Sequence, residues 1–217
     1  MLQNNGDGTF TDVATTTGTN FNRIGWGANF FDADNDSDLD LYVSSMINDP
    51  NSPLLTSGFY ECDAGNTYSI PASAGFSMDT FTSFSNAIGD INNDGYQDFV
   101  VANQAPENHA LWRSTGGTNN WLKGKLDGTM SNEAGIGARI KATSNGEAMY
   151  RYVLCGEAFL GQNSATEIFG LGTATTIDML EIFWPSGITD TYTNLTVNQL
   201  LTVTEGSTLG INEENAE

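Results

Sequence analysis

The stretch Asp32–Asp40, DADNDSDLD, decides the fold of this chain, and it recurs 58 residues later as Asp90–Asp98, DINNDGYQD. We name these stretches loop 1 and loop 2. Both carry oxygen side chains at their first, third, fifth and ninth positions, a spacing typical of a cage for a hard cation, with Ca²⁺ the best match. Each loop runs directly into β-prone apolar residues, Leu41–Val43 and Phe99–Val101. We therefore predict metal loops that join two strands.

The later loop positions distinguish between calcium motifs. An EF-hand needs a bidentate Glu at its twelfth position, where this chain has Val43 and Val101. That motif is excluded, and we expect the ninth-position aspartate to close the cage while the seventh residue contributes its backbone carbonyl. The predicted ligands of about two Ca²⁺ ions are Asp32, Asp34, Asp36, Asp38 and Asp40 in loop 1 and Asp90, Asn92, Asp94, Tyr96 and Asp98 in loop 2.

Solvated acidic turns are the alternative interpretation, because Asp and Asn favour turns on their own account. Five aspartates in nine residues would repel one another without a cation, which favours the cage. The sixth position is Ser37 in loop 1 and Gly95 in loop 2. If this position has a positive φ, Ser37 costs about 1 kcal/mol that Gly95 avoids. The relative affinity of the two loops stays open.

The charge of the chain argues against nucleic acid as a partner. The sequence has 27 acidic and 7 basic residues and a net charge of -20, which would repel a phosphate backbone. Two Ca²⁺ ions would change the net charge only from -20 to -16, so the remaining acidity indicates solubility or an extracellular or marine setting. No run approaches the ~18 apolar residues of a membrane helix, and we predict no membrane span.

The repeat indicates blades of a β-propeller. Each unit is predicted to contain a strand before the loop, a strand after it, and a hairpin, at Gly6–Val13 and Ala64–Ile70. Two units cannot close a ring. The turn at Asn5–Phe10 is expected to feed a strand that has no earlier partner, which suggests an N-terminal truncation.

A second β domain is predicted after the Gly/Thr/Asn-rich linker Ser114–Asn120. Short β segments separated by Gly-rich and Pro-Ser-Gly turns indicate a small sandwich or barrel. The predicted segments are Trp121–Leu126, Ala138–Ala142, Tyr150–Leu154, Ile177–Trp184 and Gln199–Val203. The fold class is therefore all-β, a partial propeller followed by this domain. The predicted boundaries are 1–117 for the blades, 118–208 for the β domain and 209–217 for an acidic tail whose composition favours disorder.

Residues 1 to 115 resemble the FG-GAP/VCBS repeat, through FFDADNDSDLDLYV at Phe30–Val43 and NGDGTF at Asn5–Phe10. The resemblance implies integrin-α-like propeller blades with Ca²⁺ in the loop that joins two strands.

Residues 120 to 206 resemble the ASPIC/UnbV domain, which usually follows FG-GAP/VCBS repeats. The phrases that carry the resemblance are NWL at 120–122, GIGARI at 135–140, FGLG at 169–172, LEIFWPSG at 180–187, NQL at 198–200 and EG at 205–206. Phe183 and Ile168 depart from the family, which often has a polar or basic residue and a histidine at these positions. The resemblance implies an extracellular protein of the cartilage-acidic-protein type without an established reaction.

Signals of catalysis are weak. The only histidine, His109, lies in a predicted loop, and Ser186 follows Trp184-Pro185 in a turn without a neighbouring base. Gly135–Gly137 lacks the strand-then-helix context of a phosphate loop and is predicted to be a tight turn. The four tryptophans are expected to pack in the fold, with a carbohydrate surface as the alternative.

The two cysteines, Cys62 and Cys155, either form a disulfide or act as small buried apolar residues, and the sequence leaves both options open.

The sequence therefore predicts a non-catalytic, extracellular or cell-surface, calcium-stabilised protein that adheres to a matrix, a glycan or another protein. The alternative is an accessory carbohydrate- or protein-binding module of a larger secreted enzyme. Neither the ligand nor the oligomeric state follows from the sequence.

Overall fold

The computed structural model describes residues 1–21, 23–46, 57–63, 65–71, 79, 81–207 and 212–213 of the 217-residue chain. Strands form almost all of the regular structure in these residues, which confirms the all-β prediction. They contain one helix, α1 (Ala14–Thr17), and no helix with the length and apolar character needed to cross a membrane.

The N-terminal segment forms a small hairpin of β1 (Leu2–Asn4) and β2 (Phe10–Asp12). The Asx-type turn between them is closed by Asp7, whose carboxylate accepts the N–H and hydroxyl hydrogens of Thr9. The turn was predicted correctly. The expectation that β2 has no earlier partner is wrong, because Leu2–Asn4 pairs with it in register.

The first blade is an antiparallel meander of four strands, as predicted for one propeller unit. Loop 1 joins its first two strands. The strands are β3 (Ile24–Phe31), β4 (Asp40–Met46), β5 (Gly58–Cys62) and β6 (Tyr68–Ser69). Of the hairpin predicted at Ala64–Ile70, the structure retains the short strand β6, while Ala64 lies outside the described residues.

The second blade repeats this arrangement around loop 2, with three strands in the part of the chain that is described. They are β7 (Ser83–Gly89), β8 (Asp98–Asn103) and β9 (Ala110–Trp112). The blades pack through one apolar cluster formed by Phe31, Tyr42, Ile88, Phe99 and Val101. The two loops lie side by side, because the Asn35 amide of loop 1 donates to the Gly95 carbonyl of loop 2 at 3.1 Å.

The C-terminal domain is a sandwich of two four-stranded sheets, and neither sheet closes into a barrel. Its strands are β10 (Asn120–Asp127), β11 (Arg139–Ser144), β12 (Glu147–Tyr152), β13 (Thr166–Gly172), β14 (Thr176–Phe183), β15 (Thr189–Thr196), β16 (Gln199–Thr204) and β17 (Asn212–Glu213). The order is β13-β10-β16-β17 in one sheet and β12-β11-β14-β15 in the other.

The core of the sandwich is a single apolar cluster to which both sheets contribute. Leu122 and Phe169, which pair across β10 and β13, are 0% exposed within it, as are Ile177 and Ile182 of the opposite sheet. Burial of such side chains stabilises the fold by roughly 1.5–3 kcal/mol each. The opposite face of the β10–β13 pair is therefore available to pack against another part of the chain.

The segment predicted as a tail contributes one structured element. Asn212–Glu213 forms β17 along β16, contrary to the prediction of disorder for these two residues. Residues 209–211 and 214–217 of the predicted tail lie outside the described residues.

Candidate metal centre

Asp32, the first residue of loop 1, holds the turn together from inside. Its side chain is fully buried, and its two oxygens accept the N–H groups of Asp36 and Ser37, each at 3.0 Å. Asp34 and Asp36 add further Asx-type bonds, to the N–H groups of Asp36 and Asp38. These bonds fold the loop tightly and bring the three carboxylates close to one another.

The side chains at the first, third and fifth positions of loop 1 lie close together. One carboxylate oxygen from each of Asp32, Asp34 and Asp36 lies within 4.8 Å of the others. Burial raises the pKa of Asp32 to about 7, with Asp36 adding to this effect and the charge of Arg151 opposing it. Burial also raises the pKa of Asp38 to about 6, followed by repulsion from Asp36 and Asp34.

These shifts give the metal-free loop a defined pH dependence. Because the folded-state pKa of Asp32 lies above its ordinary value of 3.8, the folded chain binds its proton more tightly than the unfolded chain does. The associated stability is present in acid and is lost as the pH rises towards 7. A cation that replaces the proton removes this loss.

Each ninth-position aspartate links its loop to a later segment of the chain through hydrogen bonds. Asp40 accepts the N–H of Ala33 within its loop and the N–H of Cys62 on β5, each at 2.8 Å. Asp98 accepts the N–H of Ile91 and that of Ser114. Each aspartate therefore fixes where the chain returns to the loop, and its role as closing metal ligand stays a prediction.

Loop 2 has the same backbone and a different charge. Asp90 accepts the N–H groups of Asp94 and Gly95, in the pattern of Asp32. The neutral third residue, Asn92, donates its amide to Asp94 at 2.8 Å. In the described part of the chain, the carboxylates of this loop form no group as close as that of loop 1.

The sixth position of each loop has a positive φ, 88° at Ser37 and 85° at Gly95. The sixth position therefore has the positive φ on which the predicted strain depended. This conformation costs Ser37 roughly 1 kcal/mol. Its hydroxyl donates to the carbonyl of Gly170 at 3.1 Å, which offsets part of this strain.

The face of the β10–β13 pair that points away from the sandwich core covers both loops. Trp121 and Gly170 are directly opposite each other in this pair. A Cβ built on Gly170 would lie 2.1 Å from Asp32 Oδ2, and a Cβ on Gly95 would lie 1.9 Å from the Trp121 ring. One cross-strand pair of the C-terminal domain thus touches loop 1 through a glycine and loop 2 through a tryptophan.

Hydrogen bonds also join the domains at the loops. The N–H of Gly172 donates to the Asn35 carbonyl at 2.8 Å, and the Asn119 amide donates to the Asp34 carbonyl at 2.9 Å. Asn119 in turn accepts the Tyr96 hydroxyl hydrogen through its carbonyl. The predicted linker Ser114–Asn120 is therefore tied to both loops and does not act as a free tether.

The donor set of loop 1 fits Ca²⁺. The converging atoms are carboxylate oxygens, which are the hard ligands that Ca²⁺ prefers, and they sit in a loop whose backbone is already closed. Asp32, Asp34 and Asp36 would hold the ion, which would supply the positive charge that three neighbouring carboxylates lack.

Family comparisons agree with this geometry. A family model described as ASPIC and UnbV matches residues 128–209, and one described as FG-GAP repeat matches residues 84–112. The chain combines an FG-GAP repeat with an ASPIC/UnbV domain. Loop 2 lies inside the FG-GAP match, and loop 1 lies outside both matched ranges. A search of curated proteins finds no match.

The FG-GAP repeat confirms the propeller-like interpretation of the blades and is typical of extracellular or surface proteins. Sequence reasoning missed the part that the ASPIC/UnbV domain plays at the loops. In the sequence, Trp121 and Gly170 were recognised only as members of the NWL and FGLG motifs. A glycine inside a strand is a signal of close approach by another backbone, and that signal was present at Gly170.

Ser186 has a carboxylate neighbour, contrary to the sequence interpretation. It donates to Glu205, which also accepts the N–H groups of Thr129, Met130 and Ser131. Burial acts to raise the pKa of Glu205, but these donors outweigh it and lower the pKa to about 2. Such a carboxylate is a poor general base, and it serves to tie the turn at Ser186 to the turn at Ser131.

The other residues that the sequence analysis considered for catalysis or ligand binding make contacts within the fold. The N–H of Asn103 donates to Nδ1 of His109 at 3.1 Å, and Gly135–Gly137 is a tight turn closed from Ala138. Trp184 is buried in the sandwich and donates to Asp190, whereas Trp26 is 38% exposed.

The cysteine alternatives are also decided. Cys62 and Cys155 are both free thiols, so the disulfide option is wrong. Cys62 is buried, as the other option requires, and Cys155 is exposed.

A cavity of about 410 Å³ opens between the blades beside loop 1. Its lining combines aromatic side chains, including Phe31, Phe59 and Phe99, with charged ones, including Asp34, Glu61 and Arg113. Apolar walls with a few polar groups are typical of small-ligand sites.

Proposed function

We propose that this chain is a non-catalytic binding module of an extracellular or surface protein, in which Ca²⁺ at the blade loops is structural. The observation that carries the proposal is the convergence of Asp32, Asp34 and Asp36 in a loop whose backbone is bonded to the ASPIC/UnbV domain. An ion at this point would stabilise the loop and, through it, the contact between the domains.

Ca²⁺ is expected to raise the melting temperature, and chelation to lower it. An ion present at ~100 times its dissociation constant adds about 2.7 kcal/mol, which corresponds to roughly 5–10 °C for a chain of this size. The measurement is a thermal melt at pH 7.5 in chelator and in millimolar Ca²⁺. A melt that responds to neither condition would remove the metal from the proposal.

The matched variant for this melt is Asp34→Asn with Asp36→Asn, because both side chains are exposed and the exchange keeps their shape. The variant is expected to melt higher than the wild type in chelator, since repulsion is relieved. In Ca²⁺ it should melt lower, since the ligands are lost. This reversal of order distinguishes a metal cage from solvated acidic turns, which would show the first effect only.

Binding is the second part of the proposal, and the ligand classes expected are a matrix protein, another extracellular protein or a glycan. The aromatic and charged side chains that line the cavity beside loop 1 support a ligand with both apolar and polar faces. We expect ligands on a glycan and matrix-protein array to bind in Ca²⁺ and to be lost in chelator. An array without any calcium-dependent ligand would contradict the adhesion function.

A further inference from the structure

Lys123 of the ASPIC/UnbV domain reaches across the domain boundary into loop 2. Its ammonium lies 3.1 Å from Asp90 Oδ2 and 3.0 Å from Asn93 Oδ1. The two charged side chains are 6% and 0% exposed, so the pair is shielded from water. Burial of a carboxylate is costly unless hydrogen bonds or a cation compensate it, and here the cation comes from another domain.

Among the residues that the structure describes, no ammonium lies against Asp32 as Lys123 lies against Asp90. Asp32 Oδ2 lies against Gly170, and Arg151, the basic residue whose charge acts on Asp32, donates hydrogen bonds to the carbonyls of Ile168 and Tyr150. Arg151 acts on Asp32 through charge alone. The first carboxylate of loop 2 is therefore paired, and that of loop 1 is not.

The other residues of loop 2 also carry less negative charge than those of loop 1. It contains three aspartates where loop 1 contains five, and its third residue is the neutral Asn92, which bonds to Asp94. With Lys123 in place, the loop carries little of the mutual repulsion that a divalent ion relieves.

From these contacts we infer that Lys123 is the built-in cation of loop 2, which keeps its conformation without metal and binds Ca²⁺ more weakly than loop 1. The inference rests on the proposed calcium function. Because the ammonium sits on the same carboxylate that would bind the metal, it repels a second cation there. The ASPIC/UnbV domain thus replaces metal at one loop and leaves the other dependent on it.

The test is a calorimetric titration with CaCl₂ in the Asp34→Asn/Asp36→Asn background, in which loop 1 has lost two of its three proposed metal ligands. Lys123→Met is compared with Lys125→Met, which removes the same charge from an exposed position on the same strand. We expect Lys123→Met to bind Ca²⁺ at least tenfold more tightly than Lys125→Met, since repulsion between the two cations is lost. Affinities within twofold of each other, or weaker binding by Lys123→Met, would overturn the inference.

Folding of the variant is a second readout. Lys123→Met leaves Asp90 buried without its partner, so it should lose more stability in chelator than Lys125→Met and recover when Ca²⁺ is added. Failure of Ca²⁺ to restore it would count against the inference. The double variant Asp90→Asn/Lys123→Met should fold in chelator and bind no Ca²⁺ at loop 2.

The two proposals fail in different ways. If the wild type with both loops intact binds no Ca²⁺, the proposed function is wrong. If the wild type binds an ion that Asp34→Asn/Asp36→Asn abolishes while Lys123→Met behaves like Lys125→Met, only the role of Lys123 is wrong.

Discussion

Replacement of Gly95 by alanine is expected to destabilise the protein by about 3 kcal/mol. The new Cβ would lie 1.9–2.2 Å from three atoms of the Trp121 indole, so the ring and its strand must move. The φ of 85° adds the cost of a side chain in the left-handed region. The measurement is the free energy of unfolding in denaturant, at fixed Ca²⁺.

Ser37→Gly is the matched control, because it changes the same position of loop 1 in the opposite direction. It relieves the strain of a non-glycine residue at a φ of 88° and loses the hydrogen bond to Gly170, so its net effect should stay within about 1 kcal/mol. Combining Gly95→Ala with Trp121→Ala should cost much less than the sum of the single changes. Additive costs would show that the ring is not the obstacle.

Replacement of Gly170 by alanine is the second change with a large expected effect. Its Cβ would lie 2.1 Å from Asp32 Oδ2 and 2.4 Å from the Asn35 Cα, and a backbone atom cannot move aside cheaply. We expect a loss of about 3 kcal/mol and at least tenfold weaker Ca²⁺ binding, because displacement of Asp32 disturbs the cage. Calorimetric titration and limited proteolysis of the segment 114–120 report the two effects.

Gly124→Ala provides the comparison for this change. Gly124 lies on the neighbouring strand, and its Cβ would meet only the Glu167 carbonyl, at an ordinary distance of 3.8 Å. Its effect on stability should stay within about 1 kcal/mol, with unchanged Ca²⁺ affinity. If Gly170→Ala behaves in the same way, the ASPIC/UnbV domain does not rest on loop 1 as the structure indicates.

Much of the local structure followed from pattern alone. The strands on either side of each loop, the N-terminal turn and the strands β10, β11, β14 and β16 were all visible as β-prone runs between turn residues. β13 was missed as a strand because glycine has low strand propensity. Its glycines are present for contact with loop 1, which is a tertiary reason that local propensity does not contain.

The amino-acid sequence by itself determined the acidic loops, because ligand type and spacing are local properties that survive any arrangement of the chain. It also determined the all-β class and the order of the two domains. Only the tertiary structure decided how the surroundings of the two loops differ. Lys123 reaches Asp90, and Gly170 lies against Asp32, because β10 and β13 cover the end of the blades. These contacts join residues 33 and 138 positions apart, and the charge and shape that they bring to each loop depend on how the domains dock.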